Sequence, residues 1–322
     1  MRDSKYSVII RTIGKASEKY QRLLDSIDEL KPKPYEVIVV LPEGYSLPKQ
    51  QLGWERFVFS QKGMVTQRLY GMEACVTPYA LFCDDDVEFD PDFVKKLIVP
   101  IVEMGCAFTA GPLYDFLPPK GFNTFINTIC GSAAPTVFHK NNYCTVLNTT
   151  GYSFNRHLKE SKLYYAQSLP WTCFFADVEK MKMVELDKEM LWLDKHGYGA
   201  MDDLTMFYKA YLLGYNTCVI PNALYKHNDA KTSTRGNTGQ VDYALSFNRL
   251  VFWHRFLYKR KRGILAKMWS KICFGYNIFT RLVLCVFSDI RGKKNLSSFN
   301  ICRKGFKDAI LYLKSDDYKS LP

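Results

Sequence analysis

Short apolar runs alternate with amphipathic stretches through the first third of the chain, and that alternation predicts its elements. Tyr6 to Ile10 is a β-branched run suited to a buried strand. From Ala16 to Leu30 the apolar positions Leu23, Leu24, Ile27 and Leu30 recur at helical spacing. Glu36 to Leu41 reads as a second buried strand, stopped by Pro42 and Gly44, and Phe57 to Phe59 as a short third. Met64 to Cys75 predicts a helix, Tyr79 to Cys83 a fourth strand, and Asp92 to Met104 a helix started by Pro91. Strands and helices in this order imply an α/β fold, a mostly parallel sheet flanked by helices. Ligands on such sheets bind beyond the carboxyl ends of the strands, so the loops after Leu41 and Cys83 are where chemistry is expected.

Residues 111–175, rich in Gly, Pro, Asn, Thr and aromatics, have no clear period and suggest loops and short strands of a substrate-binding insert. Helical pattern returns at 176–195 and 202–213, and Asn216 to Ile220 and Ala223 to His227 read as a last pair of strands. Residues 229–240 are polar, a mobile loop or a linker. Two domains are expected: 1–235, and a helical C-terminal region at 241–322.

Charge changes the picture of that region. The chain has 322 residues and a net charge of +12. Residues 241–322 hold 17 Lys and Arg against 5 Asp and Glu, so the remainder is neutral. A hydrophobic fraction of 47% excludes disordered, collagen-like and mucin-like chains. The 10 cysteines are scattered, without a CxxC pair, and read as reduced, buried thiols of a cytosolic protein rather than a disulfide framework or a zinc site. The N-terminus has no signal-peptide core. The longest apolar region, 264–288, is interrupted by Lys267, Lys271 and Arg281, so no span is expected.

The sharpest chemical feature is Asp84-Asp85-Asp86, three carboxylates leaving an apolar strand. Their mutual repulsion needs solvent or a cation, and Mg²⁺ or Mn²⁺ held by few protein ligands commonly also binds a diphosphate. An acidic solvent loop is the bland alternative. The second feature is Gly197-Tyr198-Gly199-Ala200-Met201-Asp202-Asp203, two acids opening a helix, where capping alone accounts for one of them. The third is His227 at the end of Tyr225-Lys226-His227, an ordinary polar residue unless the fold brings it to the acidic triplet.

The segments Ser7-Val8-Ile9-Ile10-Arg11-Thr12, Glu36 to Val40, Gln67-Arg68-Leu69, Leu81 to Asp86 and Asp202-Asp203 occur in the order seen in family 2 glycosyltransferases of the GT-A fold, which residues 5–230 thus resemble. The resemblance implies a Rossmann-like sheet and transfer of a sugar from a nucleoside-diphosphate donor, normally with inversion. It implies that Asp86 is a metal ligand, that Asp84 and Asp85 meet ribose and sugar, and that Asp84 and His227 lie in reach of the metal. Asp202-Asp203 matches the pair supplying the general base, with Asp203 the first choice. Arg68 matches an arginine facing the donor. Arg11-Thr12 stands where members usually read Pro-Thr, and Leu41-Pro42 where they carry a nucleoside-binding Asp, leaving Glu43 the nearest acid.

The chemistry agrees with the resemblance: a cation stabilises the leaving diphosphate, and a separate carboxylate activates the acceptor hydroxyl. The expected partners are a UDP-sugar, or alternatively a GDP- or dTDP-sugar, and a surface-glycan or lipid-linked acceptor of capsule, lipopolysaccharide or exopolysaccharide assembly. An anionic membrane surface is the third. Phe252, Trp253, Phe256 and Leu257 run into Lys259 to Arg262, and Met268, Trp269, Ile272 and Phe274 are flanked by Lys267 and Lys271. Such mixtures suit helices lying in the membrane interface, hence a cytoplasmic enzyme peripheral on the inner face of the cytoplasmic membrane. A sugar-phosphate nucleotidyltransferase ranks lower, because Arg11 to Lys15 contains one glycine and no triphosphate-cradling loop. A non-enzymatic membrane-surface binding protein is the other alternative. Nucleic-acid binding is not expected, since no recognised module is present.

Overall fold

The computed structural model describes residues 5–113, 122–131, 142–155, 158, 162–195, 198–228, 238–292 and 297–322. Gly197 and most of the polar segment 229–240 lie outside them. The elements run β1 Tyr6–Arg11, α1 Glu18–Glu29, β2 Glu36–Pro42, β3 Arg56–Ser60, α2 Met64–Ala74, β4 Tyr79–Asp84, β5 Val87–Phe89, α3 Phe93–Met104 and β6 Phe108–Ala110. Then come α4 Phe122–Ile129, β7 Asn142–Val146, β8 Ser153–Asn155, β9 Tyr164–Ala166 and β10 Cys173–Asp177. Three short helices follow, α5 Val178–Met183, α6 Leu186–Glu189 and α7 Leu191–Lys195, before α8 Asp202–Leu212, β11 Thr217–Val219 and β12 Tyr225–His227. The chain ends in α9 Thr238–Phe252, a π-helical turn Trp253–Tyr258, α10 Ile264–Arg291, α11 Ser297–Tyr312 and α12 Asp316–Lys319.

The chain forms two compact units. The first comprises Met1–Asp115, His157–Lys195 and Asp202–Ser233. Its sheet has the order β3-β2-β1-β4-β10-β6-β11-β9. The first four strands are parallel, with Ile10 opposite both Val39 and Cys83. They read as continuous apolar runs because helices cover both faces. Tyr20, Leu23, Leu24 and Ile27 of α1 are buried in the core of this unit with Val8, Ile10, Val37 and Leu81. On α2, Gly71 lets the helix lie close against β1 and β2: a Cβ there would stand 2.5 Å from Ile9 and 3.0 Å from Val40.

Differences from the expected elements sit after residue 110. Cys173–Asp177 is a buried strand, antiparallel to both β4 and β6, so the helical region begins at Val178 and is broken into three. Residues 217–219 and 225–227 do not pair with each other: β11 joins the main sheet between β6 and β9, and β12 pairs with β5 in a separate ribbon. Phe122–Ile129 forms a helix inside the stretch expected to hold only loops and strands.

The second unit comprises Thr234–Pro322 together with Phe116–Arg156 and His196–Met201. The C-terminal helices thus group with two earlier segments, and hydrogen bonds from the described residues explain the grouping. Trp253 Nε1 and Ser270 Oγ both donate to the Thr149 carbonyl, at 2.8 and 2.9 Å, and Asn248 Nδ2 donates to the Ala200 carbonyl at 2.7 Å. Phe252, Trp253, Phe256 and Leu257 are buried here, with Trp253 stacked on Phe274 at 4.3 Å. The sequence reading placed these five side chains at a membrane surface, and the structure uses them as core. The cysteines are all free, and all but Cys130 are buried.

Candidate active site

The first unit gathers the acidic residues at the carboxyl end of its parallel strands. Asp84 is the last residue of β4, in register with Arg11, the last of β1. Arg11 Nε reaches Asp84 Oδ1 at 3.1 Å. Arg68, on α2, reaches the same oxygen with Nη2 at 2.7 Å and Asp202 Oδ2 with Nη1 at 3.3 Å. Its side chain is 3% exposed. The guanidinium stands 4.4 Å from the centre of the Trp171 ring and donates to the Trp171 carbonyl at 3.2 Å. A charge buried so deeply is stable only with its donors and counter-charges satisfied, and here two carboxylates, two carbonyls and an aromatic face surround it. Burial works against the Arg11 charge as well, but Asp84 and Asp85 beside it push its pKa up.

Asp85 accepts a 2.5 Å hydrogen bond from Thr12 Oγ1. Burial lifts its pKa to about 6, against the lowering pull of Thr12 and Arg11. Asp86 meets the β5–β12 ribbon. The β5–β12 ribbon sets His227 opposite Val87, the Asn228 amide donates to the Asp86 carbonyl at 2.8 Å, and His227 Nε2 comes to 3.2 Å from Asp86 Oδ1. His227 is thereby brought to the triplet. Among the described residues no group of three or more His, Cys, Asp or Glu side chains forms a ready metal cage. Asp86 and His227 offer one carboxylate and one imidazole, a donor pair suited to Mn²⁺ whose remaining positions a diphosphate or water would fill. Asp84, expected beside the metal, has its Oδ1 taken up by the two arginines. Glu43 follows β2 at the same end of the sheet and is exposed, its amide bonded to the Ser60 carbonyl.

Asp202 and Asp203 open α8. Asp202 is buried, with Oδ1 accepting from the Asp203 amide at 2.9 Å and Oδ2 on Arg68. Asp203 Oδ1 accepts from the Leu204 amide at 2.6 Å. A helix N-terminus by itself favours ionised acids. Instead burial raises both, Asp202 to about 7, although Arg68 pulls it down and Asp203 pushes it up. Desolvation outweighs the dipole because the pair is enclosed.

Residues 45–159 match the family model for glycosyl transferase family 2. This span runs from the turn after β2 to just beyond β8 and includes Asp84, Asp85 and Asp86. Over that span the chain is similar to family 2 glycosyltransferases. A solved structure, the crystal structure of GalNAc-T7 with UDP, GalNAc and Mn²⁺, is similar in fold, with a TM-score of 0.53 at 12% identity. The likeness covers 91% of this chain and 58% of that one, and it shows a shared fold of the GT-A type. No curated protein matches the chain.

Three residues supporting this candidate site escaped sequence reasoning. Trp171 sits in the aperiodic stretch and meets Arg68 only through long-range folding. Gln67 Nε2 ties the Thr12 and Val40 carbonyls, at 3.0 and 2.9 Å, where β1 and β2 end. Asp194 caps α2 from a distant part of the chain, accepting from the Val65 and Thr66 amides at 3.1 and 2.8 Å and from Thr66 Oγ1 at 2.8 Å. A Cβ on Gly63 would stand 2.3 Å from that carboxylate, so glycine there keeps the cap accessible. Gln67 had a signal, its place beside Arg68 in a motif; the other two had none.

Proposed function

We propose that the protein is an inverting glycosyltransferase that moves a sugar from a nucleoside-diphosphate donor to a hydroxyl acceptor. The observation that carries this reading is the single buried network Arg11–Asp84–Arg68–Asp202, which joins the acidic end of β4 to the acidic start of α8. One carboxylate cluster meets the donor and a second stands ready for the acceptor, as a single displacement at the anomeric carbon requires. The neighbouring fold bound to UDP and Mn²⁺ supports a UDP-sugar as donor.

Asp86 and His227 would hold a divalent cation, which when bound neutralises charge developing on the leaving diphosphate. Thr12 orients Asp85 through its short hydrogen bond, and Asp85 and Asp84 line the donor side. Asp203 is the general base. It is less enclosed than Asp202, whose two oxygens are engaged by Arg68 and the Asp203 amide. Asp202 therefore positions the pair, and Asp203 takes the acceptor proton as the glycosidic bond forms and the nucleoside diphosphate leaves. The acceptor in this proposal is a surface-glycan or lipid-linked hydroxyl of polysaccharide assembly.

Thermal shift with UDP-, GDP- and dTDP-sugars in the presence of Mn²⁺ tests the donor, because a ligand that binds the native state raises its apparent stability. A rise with one nucleotide series, followed by turnover of that donor to a product of inverted anomeric configuration in NMR, is expected. No shift with any nucleotide sugar, or a retained configuration, contradicts the reading.

A further inference from the structure

We infer that the solvent-facing stripe of α10 is a membrane-interface surface that seats the protein on an anionic bilayer, the helix lying in the headgroup plane without crossing. This goes beyond the reaction and does not depend on it.

Helix α10 spans 28 residues, about 42 Å at 1.5 Å per residue. Met268, Trp269, Ile272, Phe279, Phe287 and Ile290 recur at helical spacing along one side and are exposed, Ile272 to 59%, Phe279 to 66% and Ile290 to 63%. Scattered exposed apolar groups need no explanation, but a stripe running the length of a helix does. The opposite side is fixed in the second unit. Ser270, Cys273, Phe274, Asn277, Cys285 and Asp289 are buried. Asp289 Oδ2 accepts from the Phe299 amide at 2.9 Å, and Arg281 pairs with Asp242 at 2.8 Å. These bonds hold the apolar stripe outward.

By length and composition α10 is sufficient to cross a membrane. Crossing would place Asp289, Arg281, Asn277 and Lys271 in hydrocarbon, which their packing and charge oppose. A helix with one face bonded to protein and one apolar face free instead suits the plane of the interface. Charge selects the occupant. Lys259, Arg260 and Arg262 are exposed immediately before the helix, Lys271 is exposed on its flank, and residues 241–322 carry the net +12 of the whole chain. An anionic leaflet attracts that charge, whereas a second copy of this chain would bring two such regions together and repel. Seated in this way, the protein would be peripheral on the inner face of the cytoplasmic membrane.

The test is flotation of the full chain with phosphatidylcholine vesicles, with and without phosphatidylglycerol. Expected are binding that requires the anionic lipid and weakens with salt, at least a tenfold loss in Ile272→Glu/Phe279→Glu, and no loss in Val102→Glu, which makes an equal change at an exposed site on α3. Quenching of tryptophan fluorescence by brominated lipid should disappear in Trp269→Phe, a substitution too mild to unfold the helix. Equal flotation of wild type and the double variant, or quenching that survives Trp269→Phe, overturns the inference. So does an absence of vesicle binding together with a dimer that the double variant dissociates.

Discussion

Arg68 is the side chain on which the two acidic clusters depend. Its fork reaches Asp84 Oδ1 and Asp202 Oδ2 from within the core, a geometry a lysine ammonium does not reproduce. Arg68→Lys should stay folded by circular dichroism yet lose at least about tenfold in turnover through misplaced carboxylates. Arg68→Met leaves Asp202 without its arginine and Asp84 with Arg11 alone, and should lower unfolding free energy in urea by about 3–5 kcal/mol. Asp203→Asn should reduce turnover by about 10²–10⁴ while donor binding stays near normal; lost donor binding with intact chemistry would make Asp203 a cap instead. The raised pair also sets pH dependence. Asp202 has a folded pKa of about 7 against an ordinary 3.8, so the stability it contributes is complete below about pH 4 and is lost as pH rises through 7. Thermal unfolding of wild type should therefore fall more between pH 5 and 8 than that of Asp202→Asn. Turnover should rise over the same interval on an acid limb belonging to the Asp202–Asp203 pair, since the base acts ionised. At this scale the sequence exposed what was consecutive: three acids after an apolar strand and two before a helix. Trp171 and Asp194 were hidden because each acts through an element distant in the chain.

Helix α2 is the element that delivers Gln67 and Arg68, and it is anchored at both ends of its reach: by Asp194 at its first turn and by Gly71 against Ile9. Asp194→Ala removes three accepted hydrogen bonds at a helix start and should cost about 0.5–2 kcal/mol in urea unfolding, with a parallel loss of turnover. Gly71→Val forces the helix off the sheet and should cost about 1–3 kcal/mol. The parallel strands β1 to β4 were legible because strands buried on both faces are continuous apolar runs bounded by turn residues. Strand β10 was not, since Cys-Phe-Phe-Ala-Asp abuts a helix and a short apolar run carries no period of its own. The partners of β11 and β12 were likewise invisible, because sequence neighbours that join different sheets leave no local sign.

Over the whole molecule, the charge asymmetry was legible but the burial of the apolar residues beside it was not: Met268, Trp269 and Ile272 are exposed, while Phe252, Trp253, Phe256 and Leu257 form core. Which apolar residues of a cationic helix face outward depends on what packs behind it, and Thr149 and Ala200, far upstream, supply part of that backing. The proposal puts metal-assisted transfer from a nucleotide sugar at Asp86 and His227 of the first unit. The most direct measurement is nucleoside-diphosphate release from UDP-sugars by the full chain, titrated with Mn²⁺, in wild type and Asp86→Asn. The account predicts release that depends on Mn²⁺, stops with EDTA, and falls at least about a hundredfold in Asp86→Asn. Wild-type turnover indifferent to EDTA, together with undiminished turnover in Asp86→Asn, would contradict it.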